Sequence, residues 1–289
     1  MIFVLLSVIC SVTVAVILKL AKQNGVETKQ VIVWNYPAAV ALTYFVLQPD
    51  LKSLEWDTMP VTLYTTLAIL LPGMFVFIAL SIRYSGLART EIAQRLSLFI
   101  PLLASFLLFH EEIKAYKMIG IVVGLLAILC SIGWQKSNSQ IAPEMRRNQG
   151  LYPLLVFIGM GIIDILFKQV ALHDRIAYVS SMFIIFVLAM VVALILLAYF
   201  LVFEKQRFSI NALGYGLVLG AFNFCNILFY MKAHRALPEN PSIVFTGMNI
   251  GVISLGALIG VLFFKERLSR LNYLGLVLSI VSVLIIAYL

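Results

Sequence analysis

The sequence predicts an all-α integral membrane protein, with ten transmembrane helices arranged as two inverted repeats of five. Three observations predict it. Of 289 residues, 62% are hydrophobic and only 12% are charged, against about 25% charged in soluble domains, and the mean hydropathy is +1.04. The apolar residues gather into ten runs long enough to cross a bilayer. The two halves of the chain repeat one another. This composition excludes a soluble globular enzyme, a disordered chain and a nucleic-acid module built on a basic patch, even though the net charge is +8.

A transmembrane helix needs about 20 mainly apolar residues. The first run, 1–21, lacks a basic leading segment and a small-x-small cleavage site before Lys19, so it is expected to be a retained span rather than a signal peptide. The next runs are 31–48, 61–83, 92–109 and 115–134. Residues 135–150 are rich in Ser, Asn, Gln and charge and include Pro143 and Gly150, so they read as a polar linker. Five more runs follow, at 151–172, 176–202, 210–231, 242–264 and 272–289. Within the ten runs the charged residues are Lys19, Arg83, Arg95, Lys117, Asp164 and Lys168, and every other one lies between them. A low-dielectric slab imposes that partition. The runs are too long and too uniformly apolar for the alternating strands of a barrel. The expected domains are therefore 1–134, the linker 135–150, and 151–289.

The repeat is legible at both ends of each half. Phe109, Glu111 and Gly120 recur as Phe264, Glu266 and Gly275, always 155 positions on. Ile17-Leu18-Lys19 resembles Leu166-Phe167-Lys168 at an offset of 149, and Gly86-Leu87 resembles Ala236-Leu237. Five is odd, so the second copy crosses the membrane in the opposite sense. A chain built from two oppositely oriented copies suits alternating access.

Two five-span halves, each ending in an apolar run, then Phe-x-Glu-(Glu/Arg) and a final Gly-containing run, resemble the EamA type of the drug/metabolite transporter superfamily. The likeness covers the whole chain. Its sharpest mark is the turn at Glu111-Glu112 and Glu266-Arg267, with Pro101 upstream in the first copy and Gly256 at the matching place in the second. The resemblance implies a ten-span carrier or exporter of small organic solutes, a central cavity lined by the first four helices of each half, and cytosolic termini. The charge count disagrees on the last point. Odd-numbered gaps between spans carry 11 Lys and Arg and even-numbered gaps five, which by the positive-inside rule puts both termini outside.

Candidate substrate-binding residues are the polar groups inside the spans. Lys19 and Lys168 sit near the ends of equivalent spans; they either snorkel to the interface or flank a cavity as a cationic pair. Asp164 lies four residues before Lys168 on one helical face. Either it neutralises that lysine locally or it binds a proton or substrate, and position 15, its repeat equivalent, is Ala. Glu91 and Arg95 are four apart with Gln94 beside them, and Arg can grip a carboxylate or phosphate through two parallel hydrogen bonds. Asn35 and Tyr36 fall inside the second span, Asn249 inside the ninth. Asn223, Asn226 and Tyr230 form a stripe on one face of the eighth. Hydrogen bonding between helices is the structural alternative for each of these. Glu111 and Glu266 are expected to be structural turn residues, each capping the helix that follows it. The pairs Gly120/Gly124, Gly216/Gly220, Gly247/Gly251 and Gly256/Gly260 are expected to serve close helix packing, or a dimer face.

Catalytic signals are missing from the sequence. His110, His173 and His234 sit at gaps or span ends, Cys10, Cys130 and Cys225 show neither metal nor disulfide spacing, and there is no phosphate loop. The chain is therefore expected not to be an enzyme, and to need neither cofactor nor metal. The expected function is secondary, non-ATP-driven transport of a small polar metabolite across the cell membrane. The buried charges lean cationic by one, which favours an anionic or zwitterionic solute. The expected partners are that small-molecule substrate, the lipid bilayer and, as a candidate coupling ion, the proton; nucleic acid is not among them, and monomer and homodimer both remain open. Export of apolar drugs is the alternative within transport. A non-transporting scaffold, or an enzyme acting on lipid head groups, are the alternatives outside it.

Overall fold

The computed structural model describes residues 1–51, 59–85, 87–112, 114–131, 150–173, 176–264 and 270–288. The expected linker 135–150, apart from Gly150, and the turn residue Glu266 lie outside the described residues. Among the described residues there are eleven helices and no strand. They are α1 (Ile2–Gln23), α2 (Thr28–Leu47), α3 (Val61–Ser85), α4 (Leu87–Leu96), α5 (Phe99–Leu107), α6 (Ala115–Ser131), α7 (Leu151–Ala171), α8 (Tyr178–Val202), α9 (Ile210–Ala236), α10 (Pro241–Phe264) and α11 (Arg270–Tyr288). Seven are long and apolar enough to cross a membrane: α1, α2, α3, α7, α8, α9 and α10. Shorter apolar stretches run over Ile92–Leu107, Ala115–Ala127 and Tyr273–Ser282.

The expected single span at 92–109 is instead two helices, α4 and α5, that meet at Ser97-Leu98. Pro101 explains the break. In a continuous helix the carbonyl of Ser97 would accept from the backbone N–H of residue 101, and Pro has none to give. The Ser97 carbonyl takes the N–H of Ile100 instead, at 3.1 Å. The Ser97 hydroxyl turns back onto the Gln94 carbonyl at 2.6 Å and closes the end of α4. Hydropathy is continuous through this point, so composition carried no sign of the interruption.

The helices fall into two compact units, and each draws on both halves of the chain. One holds Met1–Ile9, Val76–Ile165 and Ala236–Leu289; the other holds Cys10–Phe75 and Leu166–Arg235. The boundaries fall inside α1, α3 and α7.

In the second of these units, α2 packs against α8, and Ile17 and Ala21 of α1 share a buried core with Val31 of α2 and Ala212 and Leu219 of α9. Two glycines let α9 approach α2 at backbone distance. A Cβ at Gly216 would lie 2.8 Å from the Val31 carbonyl oxygen, and one at Gly220 would meet the Asn35 carbonyl and lie 2.6 Å from the Ala38 Cβ. Polar contacts join the start of α2 to the α8–α9 turn. Gln30 donates to the Arg207 carbonyl at 2.8 Å and accepts from the Ser209 N–H at 3.0 Å, and Lys29 pairs with Glu204 at 2.5 Å at the surface.

In the other unit α10 packs on α5, α6 and α11, and α6 on α11. Gly124 faces Ile250 and Ser282, and Gly247 and Gly251 face Val4 and Val8 of α1. The expectation of close packing fails at Gly256, where an added Cβ would meet nothing within 4 Å.

Candidate functional site

The polar interior of the unit holding most of α2 and α9 is built on α2, α7 and α9. Asn35 is fully buried on α2, two residues before the helix-internal Pro37. Its Nδ2 donates to the Ile32 carbonyl at 2.9 Å, and its Oδ1 accepts from Asn223 Nδ2 of α9 at 2.8 Å. This bridge fixes the rotation of α9 against α2 at the level where Gly220 admits the α2 backbone. Tyr36, 1% exposed, lies beside it.

Lys168 occupies the second focus. It lies on α7 and is 2% exposed, a deep burial for an ammonium. Its neighbour Phe167 meets the Tyr230 ring edge-on, with centroids 6.2 Å apart, inside the range of about 4.5–7 Å for aromatic pairs. Tyr230 in turn meets His234 edge-on at 4.8 Å. His234 is 0% exposed and within electrostatic reach of Lys168.

The sequence reading missed His234, placing it past the end of the eighth span. That span runs to Ala236, so His234 sits inside α9. The signal was present: His234 lies four residues beyond Tyr230 and continues the stripe of Asn223, Asn226 and Tyr230. Asn226 itself is half-buried.

The two repeat-related lysines are not equivalent in burial. Lys19 on α1 is half-buried where Lys168 is enclosed. The other candidates belong to the other unit. Asp164 on α7 and Gln94 and Arg95 on α4 are half-buried. Glu91 falls on α4, and its side chain lies outside what the structure describes. Asn249 is half-buried, and its side-chain amide donates back to the Phe245 carbonyl of its own helix at 3.1 Å.

Glu111 follows α5, and its side chain is 0% exposed. It was expected to cap the next helix, α6. It caps α10 instead, because the chain brings the start of α10 against the α5–α6 turn. The carboxylate accepts from the Ser242 N–H at 2.9 Å, from the Ser242 hydroxyl at 2.5 Å and from Lys117 Nζ at 2.9 Å. Lys117, 2% exposed on α6, also donates to Asn240 Oδ1. A first-half carboxylate therefore satisfies an orphan donor at the start of a second-half helix, where the dipole favours negative charge. Asn240 and Ser242 carried no sequence signal for this, since their partners are more than 100 residues away, and Lys117, six residues after Glu111, was not read as its partner.

The model of the EamA-like transporter family matches twice, over residues 1–133 and 150–288. The chain belongs to the EamA-like transporter family. It is 41% identical over 290 residues to an uncharacterized protein of Haemophilus influenzae, a match covering 98% of this chain and 96% of that one. It also resembles a protein of known crystal structure with a TM-score of 0.75 at 14% identity, over 99% of this chain and 95% of the other. That second likeness speaks for the fold. Membership makes this EamA-like protein a multi-pass membrane protein of the drug/metabolite transporter type, with a small-molecule substrate and the lipid bilayer as partners.

Proposed function

We propose that this EamA-like protein is a secondary transporter of the cell membrane that moves a small anionic or zwitterionic metabolite by alternating access. In this reading the chain has ten spans in two inverted halves, 1–134 and 151–289, joined by the linker 135–150, and is not an enzyme. The observation that carries the substrate charge is the burial of Lys168 at 2% exposure beside the aromatic row of Phe167, Tyr230 and His234. A carboxylate or phosphate that reaches a buried ammonium gains a strong, charge-assisted hydrogen bond. Asn223, Asn226 and Tyr230 supply neutral polar groups on the same helix, and Asn35 holds Asn223 in place.

Asp164, four residues before Lys168 on α7, is the candidate proton acceptor. Lys19 in the same unit as Lys168, and Gln94, Arg95 and Asn249 in the other, are the further candidate substrate-binding residues.

The test is uptake into proteoliposomes screened across radiolabelled amino acids, organic acids and cationic dyes, for the wild type and Lys168→Met. Saturable uptake of an acid or amino acid, lost in Lys168→Met at normal expression, supports the reading. Transport of the dyes alone, unaffected by the substitution, overturns it in favour of drug export.

A further inference from the structure

Two of the three cysteines meet, although they are 215 positions apart. The Cys10 thiol of α1 donates a hydrogen bond to the Cys225 sulfur of α9. The two helices are neighbours in the packing as well. Ile17 and Ala21, toward the end of α1, share a buried core with Ala212 and Leu219, toward the start of α9, so the two helices lie side by side and antiparallel. Asn24 of α1 bonds Tyr215 of α9 at 2.6 Å in the same sense. Both thiols are free, as is Cys130, which lies on α6 in the other unit. Cys10 is 9% exposed and Cys225 is half-buried. Cys225 also lies between Asn223 and Asn226 in the sequence of α9.

We infer that Cys10 and Cys225 are a redox-active dithiol whose oxidation to a disulfide locks α1 onto α9. Two thiols already in side-chain contact need little backbone movement to reach disulfide geometry. With a small diazene oxidant such as diamide the step balances. One S–S bond forms, each thiol gives up its proton, and two electrons and two protons pass to the N=N bond, which leaves as the hydrazine. The oxidant must be small and membrane-permeant, because both sulfurs lie inside spans. A covalent tie between a first-half helix and a second-half helix removes their freedom to shift. The consequence for transport rests on the proposed function; the disulfide itself does not.

The experiment oxidises the purified protein with diamide, denatures it, alkylates the remaining thiols with N-ethylmaleimide and counts adducts by intact mass. Untreated protein carries three adducts. Oxidised wild type is expected to carry one, Cys130→Ala none, and Cys10→Ala and Cys225→Ala two each, all as monomers on a non-reducing gel. Three adducts on oxidised wild type, or two on oxidised Cys130→Ala, overturn the pairing. In proteoliposomes, transport should stop on oxidation and resume with dithiothreitol in wild type, and persist throughout in Cys10→Ala. Thiol loss with undiminished transport overturns the lock. If reduced protein moves no substrate, it is the transport reading that fails, and the adduct count still decides the disulfide.

Discussion

Glu111→Gln tests how a buried carboxylate holds α10. The substitution keeps the shape of the side chain and removes its charge. Lys117 then remains at 3% side-chain exposure with its charge opposed only by neutral oxygens, including Asn240 Oδ1. The Ser242 N–H and hydroxyl lose a charged acceptor at 2.9 and 2.5 Å. Breaking one side of a buried ion pair costs about 3–5 kcal/mol, and weakening a helix cap about 1 kcal/mol, which overlaps with the first figure because one carboxylate does both. At roughly 2–4 °C per kcal/mol for a chain of this class, the melting temperature should fall by about 6–20 °C. The double change Glu111→Gln with Lys117→Met removes the stranded charge and should recover most of the loss, giving a coupling well outside additivity. The assay is thermal unfolding of purified protein in detergent, followed by tryptophan fluorescence, with substrate affinity measured in parallel. The affinity should not change. A single variant within about 1 kcal/mol of wild type, or a double variant no better than the single, refutes the argument, since either means the pair is not what holds the turn to α10.

Gly220→Ala should lower stability by roughly 1–3 kcal/mol, because its Cβ meets the Asn35 carbonyl and the Ala38 Cβ rather than a flexible side-chain end. Gly214→Ala on the same helix meets nothing within 4 Å and should be neutral or stabilising by up to about 1 kcal/mol; equal losses at both sites, in melting experiments, would contradict the packing account. Asp164→Asn should express normally and transport without response to an imposed pH gradient, measured in proteoliposomes. If Asp164→Asn folds poorly and the double change with Lys168→Met restores both folding and full transport, the carboxylate only neutralises its neighbour.

The sequence alone determined where the helices lie and what solvent surrounds them. Hydropathy is a property of the chain segment by segment, and the bilayer charges each buried ionic group several kcal/mol wherever it falls. The run at 210–231 and the stripe of Asn223, Asn226 and Tyr230 were therefore readable, as was the membership that the repeated Phe-x-Glu turn suggested. The break at Ser97 needed one backbone carbonyl to be traced against Pro101, which an average over a window hides. What only the tertiary structure decided is which faces meet. Lys19 and Lys168 share a repeat position, yet one is half-buried and the other enclosed. Glu111 serves α10 and not α6. Asn35 finds Asn223 across 188 positions, and Cys10 finds Cys225 across 215. Each pairing depends on the rotation of one helix about its axis and on the neighbour it leans against. In an apolar slab almost any rotation satisfies the hydropathy pattern equally, so close approach at residues such as Gly216 and Gly220, and a few buried polar bonds, select the one that forms.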